Sequence, residues 1–281
     1  MAGARSPVLR RRELGIQLRA LRNDKGWTVE QVAERLLVSP SKVSRLETGQ
    51  RGASARDIRD LCELYGVSDE QRQRLTDLAA AGKQHTWWQA RVLPYSTYVS
   101  LEADAVSISD YGLGIVPGLL QTADYARAVF RRTVPHLPPD VARQRLDGRM
   151  ARQGLLRSEN PPLFQTVIDE SVLRRVVGGP TVMHAQLQRL LELSELPRVI
   201  IRVLPYKAGA VAVNNNKFII LRLEPPLPGL VFVEGLTGDL YLDRKYDIDI
   251  YTQAFDEMAE LAASPDDSHD MIAAISKIYR T

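Results

Sequence analysis

The stretch Trp27-Thr28-Val29-Glu30-Gln31-Val32-Ala33-Glu34-Arg35-Leu36, continued by Val38-Ser39-Pro40-Ser41-Lys42-Val43-Ser44-Arg45-Leu46-Glu47-Thr48-Gly49, decides the fold of the N-terminal part. Thr28, with Gln31 three residues on, has the form of a capping box, so a helix begins just after it. Val32, Ala33 and Leu36 give that helix one apolar face. Ser39 followed by Pro40 opens a second helix, because proline is tolerated at the first helical position, where its missing N–H is not needed. Val43 and Leu46 continue the inner stripe, and Gly49 stops it. Two short helices joined through Leu37, Val38 and Ser39 make a helix–turn–helix by spacing. In that motif the second helix enters the major groove and its N-terminal residues touch base edges. Its outward positions here are Ser41, Lys42, Ser44 and Arg45. A hydroxyl pairs with either base, while lysine and arginine suit the acceptors of guanine. The competing reading is a helical hairpin with a solvated charged face.

Working outward, Leu14, Leu18 and Leu21 share one stripe of a preceding helix that ends at Gly26. A fourth helix from about Ser54 to Tyr65 closes with Gly66, and a fifth opens at Ser68 and ends near Gly82. These elements predict an all-α domain over residues 13–83. Residues 1–12, ending in Arg10, Arg11 and Arg12, read as a flexible basic tail. Cys62 falls on the inner side of the fourth helix, as a small core hydrophobe. Residues 1–59 hold thirteen Lys/Arg against six Asp/Glu, whereas the rest of the chain carries four more acids than bases. A basic N-terminal part on an acidic chain points to a polyanion as the partner of that part alone.

Beyond residue 84 the pattern changes. Apolar, β-branched runs at 163–168, 199–204, 218–223 and 230–233 alternate with helical patterns at about 99–109, 122–132, 139–157, 181–196, 245–262 and 266–279. The mixture predicts a larger α+β domain over 84–281. With 281 residues, 44% hydrophobic and 25% charged, the chain has the composition of a globular protein. One cysteine leaves no internal bridge, which predicts a reducing, cytoplasmic setting. The sequence shows neither an apolar run of membrane-spanning length nor a secretory pattern. His85, His136, His184 and His269 are scattered without acid or cysteine at ligand spacing, and His184 is expected at the surface. In Gly112-Leu113-Gly114-Ile115-Val116-Pro117-Gly118 the third glycine of a dinucleotide fingerprint is replaced by Pro117. Asp239, Asp243, Asp247 and Asp249 read as a solvated approach to a helix, and Trp87-Trp88 as core or interface anchors. The expectation is therefore no catalytic residue, no cofactor and no metal.

The Trp27–Leu36 and Val38–Gly49 runs, above all the ending Ser44-Arg45-Leu46-Glu47-Thr48-Gly49, resemble the λ-repressor-like (XRE-type) DNA-binding domain. The resemblance spans about residues 13–80. It implies base reading by Ser41, Lys42 and Arg45, phosphate contacts at Gln50 and Arg51, and an Arg22 that pairs with Glu47 and faces the DNA backbone. With the helix-capping Thr28 and Ser39 and the outward Ser44, the candidate DNA-binding set is Arg22, Thr28, Ser39, Ser41, Lys42, Ser44, Arg45, Gln50 and Arg51. One position departs from the family, Val29 standing where a phosphate-binding glutamine is usual. Further on, Trp87-Trp88, the run from Val116-Pro117-Gly118-Leu119-Leu120-Gln121 to Arg127, Val177-Gly178-Gly179-Pro180, and the run from Val233 to Leu242 resemble actinobacterial regulators similar to WhiJ, whose C-terminal domain is antitoxin-like. That resemblance implies a small BldB-like protein as partner. Val211-Ala212-Val213-Asn214-Asn215-Asn216-Lys217 departs from the group, which has His and Gly there. A C-terminal domain that binds a small-molecule effector is the alternative. The motif class further implies a homodimer on a double-stranded operator, nucleoid-associated when bound, with no membrane partner.

Overall fold

The computed structural model describes residues 6–83, 96–212, 216–225, 227–235 and 238–280. These divide into two compact units, residues 6–83 with 96–104 in one and 105–280 in the other.

The first unit is helical: α1 (Pro7–Asp24), α2 (Val29–Arg35), α3 (Pro40–Glu47), α4 (Ala55–Tyr65), α5 (Asp69–Ala81) and α6 (Ser96–Ala103). Leu14 and Leu18 of α1, Val32 and Ala33 of α2, Val43 and Leu46 of α3, and Ile58, Leu61, Cys62 and Tyr65 of α4 close one core with Leu75 of α5. Each of the first five helices starts at a side-chain cap, and at Ser54 and Thr28 the cap is reciprocal. The flexible tail expected over residues 1–12 does not hold from Ser6 onward. Ser6 Oγ accepts the Leu9 N–H at 3.2 Å and Pro7 takes the first helical position, the same start that Ser39-Pro40 gives α3. Val8 and Leu9 are buried, the Ser6 N–H donates to the Asp104 carboxylate at 3.1 Å, and Arg11 donates to the Gly82 carbonyl at 2.9 Å. The arginine run is therefore part of α1, with Arg10 and Arg11 half-buried and Arg12 buried, rather than a loose polyelectrolyte. Residues 1–5 and Trp87-Trp88 lie outside the described residues.

The second unit is α+β. Its six-stranded mixed sheet runs in the order β3-β2-β1-β4-β5-β6, with β1 (Ser107–Gly112), β2 (Leu163–Asp169), β3 (Val199–Leu204), β4 (Phe218–Arg222), β5 (Leu230–Val233) and β6 (Leu240–Leu242). β1, β2 and β3 are parallel, with Ile108 opposite Phe164 and Phe164 opposite Val199. β4, β5 and β6 continue antiparallel from β1. Parallel neighbours need long crossovers. The first carries α7 (Ala123–Thr133) and α8 (Pro139–Arg152), the second α9 (Glu170–Arg174) and α10 (Pro180–Ser194). Two helices follow the sheet, α11 (Lys245–Leu261) and α12 (Pro265–Ile278). Phe255 and Met258 of α11 pack on Tyr111, Val167, Phe218, Ile220 and Val231. The outer edge of β3 is closed by the start of α12: Ser268 Oγ accepts the Val203 N–H at 2.9 Å and the Ala263 N–H donates to the Val203 carbonyl at 2.9 Å. Covering an edge in this way removes a template for unwanted strand pairing.

All four expected strands are present, and two more were not legible. The expected helix over 99–109 is instead the end of α6 followed by β1. β1 is a central strand that offers only Ile108 and Tyr111 as large apolar residues. Its buried Ser109 is satisfied across the sheet by the Gln165 amide at 2.9 Å. His184 is half-buried rather than a surface residue, with Nδ1 3.1 Å from the Ser276 carbonyl on α12.

Candidate nucleic-acid interface

α2 and α3 are joined by a turn in which Leu37 takes φ 54°, the one non-glycine among the described residues with positive φ. The Leu37 N–H bonds the Glu34 carbonyl at 3.2 Å and the Val38 N–H bonds the Ala33 carbonyl at 2.9 Å, so the turn is a hydrogen-bonded helix end. Leu37 itself is 93% exposed, so packing gives no return for its strained backbone.

The inner side of α3 is fixed by a buried acid. Glu47, 4% exposed, receives both Nε and Nη2 of Arg22 at 2.7 and 2.9 Å. Arg19 lies 3.9 Å from the same carboxylate. Arg22 Nη1 donates to the Trp27 carbonyl at 2.8 Å, so one guanidinium ties α1, the turn before α2, and the end of α3 together. The carboxylate in turn holds the Arg22 guanidinium, by hydrogen bond first, above its ordinary pKa. Two glycines let the backbones approach. A Cβ at Gly15 would lie 2.4 Å from the Glu47 carbonyl oxygen, and one at Gly49, where φ is +69°, would lie 2.9 Å from the Arg12 Cα.

The outer side of α3 is polar and solvated. Ser41, Ser44 and Arg45 are exposed, as are Gln50 and Arg51 just beyond the helix. Arg45 Nε makes only a local bond to the Ser41 carbonyl at 3.1 Å, and Ser39 Oγ caps the Lys42 N–H at 3.3 Å. Thr28, also exposed, caps the Gln31 N–H at 3.2 Å and has its own N–H taken by the Gln31 side chain at 2.9 Å. Arg22 stands apart, on the interior side with Glu47. Lys42 is held by an ion pair: its Nζ lies 2.5 Å from Asp57 Oδ1 on α4. Val29, at the position that departs from the resembled family, is half-buried against the core, so it serves packing. Asp57 was not singled out from sequence, although Ser54 with an acid three residues on carries the signal of a capping box.

A family model for a helix-turn-helix domain matches residues 13–75. A second, described as a domain of unknown function (DUF5753), matches residues 95–274, well over half of the chain. The chain belongs to that family. No curated protein and no solved structure matches it. Within the DUF5753 domain, the run from Val116 to Tyr125 buries Val116, Pro117, Leu119, Leu120, Gln121 and Tyr125 and leaves Asp124 exposed. Gln121 Nε2 donates to the Val116 carbonyl at 2.7 Å while its Oε1 accepts from Arg149 at 2.7 Å. Gln186 of α10 spans the same loop, accepting the Thr122 N–H at 2.7 Å and donating to the Leu120 carbonyl at 2.8 Å. Among the described residues of the DUF5753 chain, no group of His, Cys, Asp and Glu could hold a metal, and no helix is long and apolar enough to cross a membrane.

Proposed function

We propose that this chain is a sequence-specific transcription regulator of the XRE type, with a λ-repressor-like domain that reads an operator through α3. The observation that carries this reading is the two-sided build of α3. Its inner side is locked to α1 by Glu47 and Arg22, and its outer side holds Ser41, Ser44 and Arg45 in solvent, followed by Gln50 and Arg51. A reader needs this division, because base edges reward only side chains whose backbone is held in place. Ser41, Lys42, Ser44 and Arg45 contact bases. Thr28, Ser39, Gln50 and Arg51 hold phosphates and so fix the register. Arg22 acts from inside, holding α3 at the angle the groove requires.

One recognition helix reads too few base pairs for useful specificity, so the active form is a homodimer whose half-sites lie about 34–36 Å apart. The α+β body acts as the antitoxin-like part and docks a small BldB-like protein, as the sequence resemblance implies. Leu240 on β6 and Tyr246 and Ile250 on α11 are exposed apolar side chains that support a protein partner over a buried small molecule. Partner and operator then change each other's affinity by the same factor. The protein works in the cytoplasm, on the nucleoid when bound.

Footprinting with the full chain is expected to protect a pseudo-palindromic site, and a single half-site bound with full affinity would contradict the dimer. Co-purification from the native host is expected to yield a stoichiometric small protein. A bound metabolite in its place would move the body to effector sensing.

A further inference from the structure

Lys42 and Asp57 face each other between the recognition helix and α4. Lys42 Nζ lies 2.5 Å from Asp57 Oδ1, with the lysine side chain 25% and the aspartate side chain 10% exposed. The carboxylate is also held from its other side. Its other oxygen, Oδ2, accepts both the Ser54 N–H at 2.9 Å and the Ser54 hydroxyl at 2.7 Å as the reciprocal half of the α4 capping box. Burial acts against the charged form of Asp57, but Lys42 and the Ser54 donors outweigh it and hold the acid below its ordinary pKa. Arg45, one turn further along the same helix, is exposed and bonds only its own backbone neighbourhood. The two cations of the recognition helix therefore differ in kind: one is available to a groove, and the other already has a counter-ion.

We propose that Asp57 is an internal competitor for DNA: its carboxylate holds the Lys42 ammonium that the recognition helix would otherwise offer to the groove, and so sets the affinity of the reader below what its cations alone would give. The inference rests on the DNA-reading function proposed above. When Lys42 turns to an acceptor on DNA, it gives up its contact with Asp57. The carboxylate left behind then takes up a cation from solution, which offsets one of the ions released from the DNA. Asp57 thus acts on affinity and on salt dependence through Lys42 without touching DNA.

The test uses the full chain, with affinities for the footprinted site and for a random duplex measured by fluorescence anisotropy over a series of KCl concentrations. Asp57→Asn keeps an oxygen for the Ser54 cap and removes the charge. Asp57→Gln places the neutral residue that capping boxes favour at this position, and replaces Asp57→Asn should that variant fail to fold. The neutral variant is expected to bind the site on the order of threefold to tenfold more tightly. Its salt slope should steepen by about one ion. In a Lys42→Gln background the same substitution should change neither quantity. Unchanged affinity and slope in the Lys42-containing protein would overturn the inference and leave the DNA reading intact. A gain that persists undiminished without Lys42 would also overturn it, because the effect would then be general charge. Absence of DNA binding by the unaltered chain would overturn the DNA reading and this inference together.

Discussion

Val38–Gly49 and Val116–Tyr125 are two distinctive stretches of the sequence, and they differ in where Ser41, Ser44 and Arg45 on the one hand and Gln121 on the other are placed. The first turns Ser41, Ser44 and Arg45 outward with no partner beyond their own helix. The second turns Gln121 inward, where Val116 and Arg149 take both ends of its amide, and Gln186 reaches in from α10 to hold the same loop. A recognisable motif is therefore not in itself a site. A buried, satisfied amide fixes one loop conformation, since leaving it unmade would strand groups out of water. Exposed polar groups on a locked helix keep their hydrogen-bonding capacity open to a ligand. α3 repeats the contrast within eight residues: Glu47 faces the core and Arg45 faces solvent.

The largest effect should come from breaking the inner side of α3. Glu47→Ala strands the Arg22 guanidinium in a nearly closed site, and is expected to destabilise the N-terminal unit by about 3–5 kcal/mol, read by denaturant unfolding. An unchanged midpoint would mean that the pair is not what fixes α3. Next, Gln121→Ala leaves the Val116 carbonyl and the Arg149 donor without this partner, at an expected loss of about 2–4 kcal/mol in the α+β unit. Tolerance of that change would mean that the Gln121 amide is not what fixes this loop. On the solvated side the sign of the comparison reverses. Arg45→Ala should alter stability by no more than about 0.5 kcal/mol, yet weaken operator binding by about 1–3 kcal/mol. A melting shift as large as that of Glu47→Ala would remove the distinction between the two sides. The smallest effect is a gain: Leu37→Gly should relieve the positive φ of the turn and raise stability by about 1 kcal/mol. No gain, measured by thermal unfolding, would show that the leucine is not strained there.

The sequence carried the helix–turn–helix because capping and periodicity are local, and each start of α2, α3 and α4 lies where its Thr or Ser indicates. The same chemistry at Ser6-Pro7 was overshadowed by Arg10–Arg12, whose charge reads as a tail until the partners of Ser6 and Arg11 are known. β1 is hard to read from sequence because Ser109 and Asp110 sit in the middle of a sheet where an apolar run is usual, and the Ser109 hydroxyl and Asp110 main-chain carbonyl accept from Gln165 and Thr166 of the neighbouring strand. β6, at three residues, is too short to carry a period. The close approach at Gly15 and the ion pair of Lys42 with Asp57 join residues far apart in sequence, which no spacing rule reaches. Of the candidate interface, outward direction was legible for Ser41, Ser44 and Arg45. The pairing of Arg22 with Glu47, implied by the family resemblance, is present in the folded chain, whereas the partner of Lys42 was not legible.

The claim that the outward side of α3 reads bases is tested most directly by selecting bound duplexes from a random pool with the full chain and with its Arg45→Ala variant. The account predicts that the unaltered chain enriches a two-fold symmetric sequence with half-sites about one helical turn apart, and that the variant loses preference at one base position in each half-site while keeping the rest. An identical enriched sequence from both proteins, or no enrichment by the unaltered chain, would contradict it.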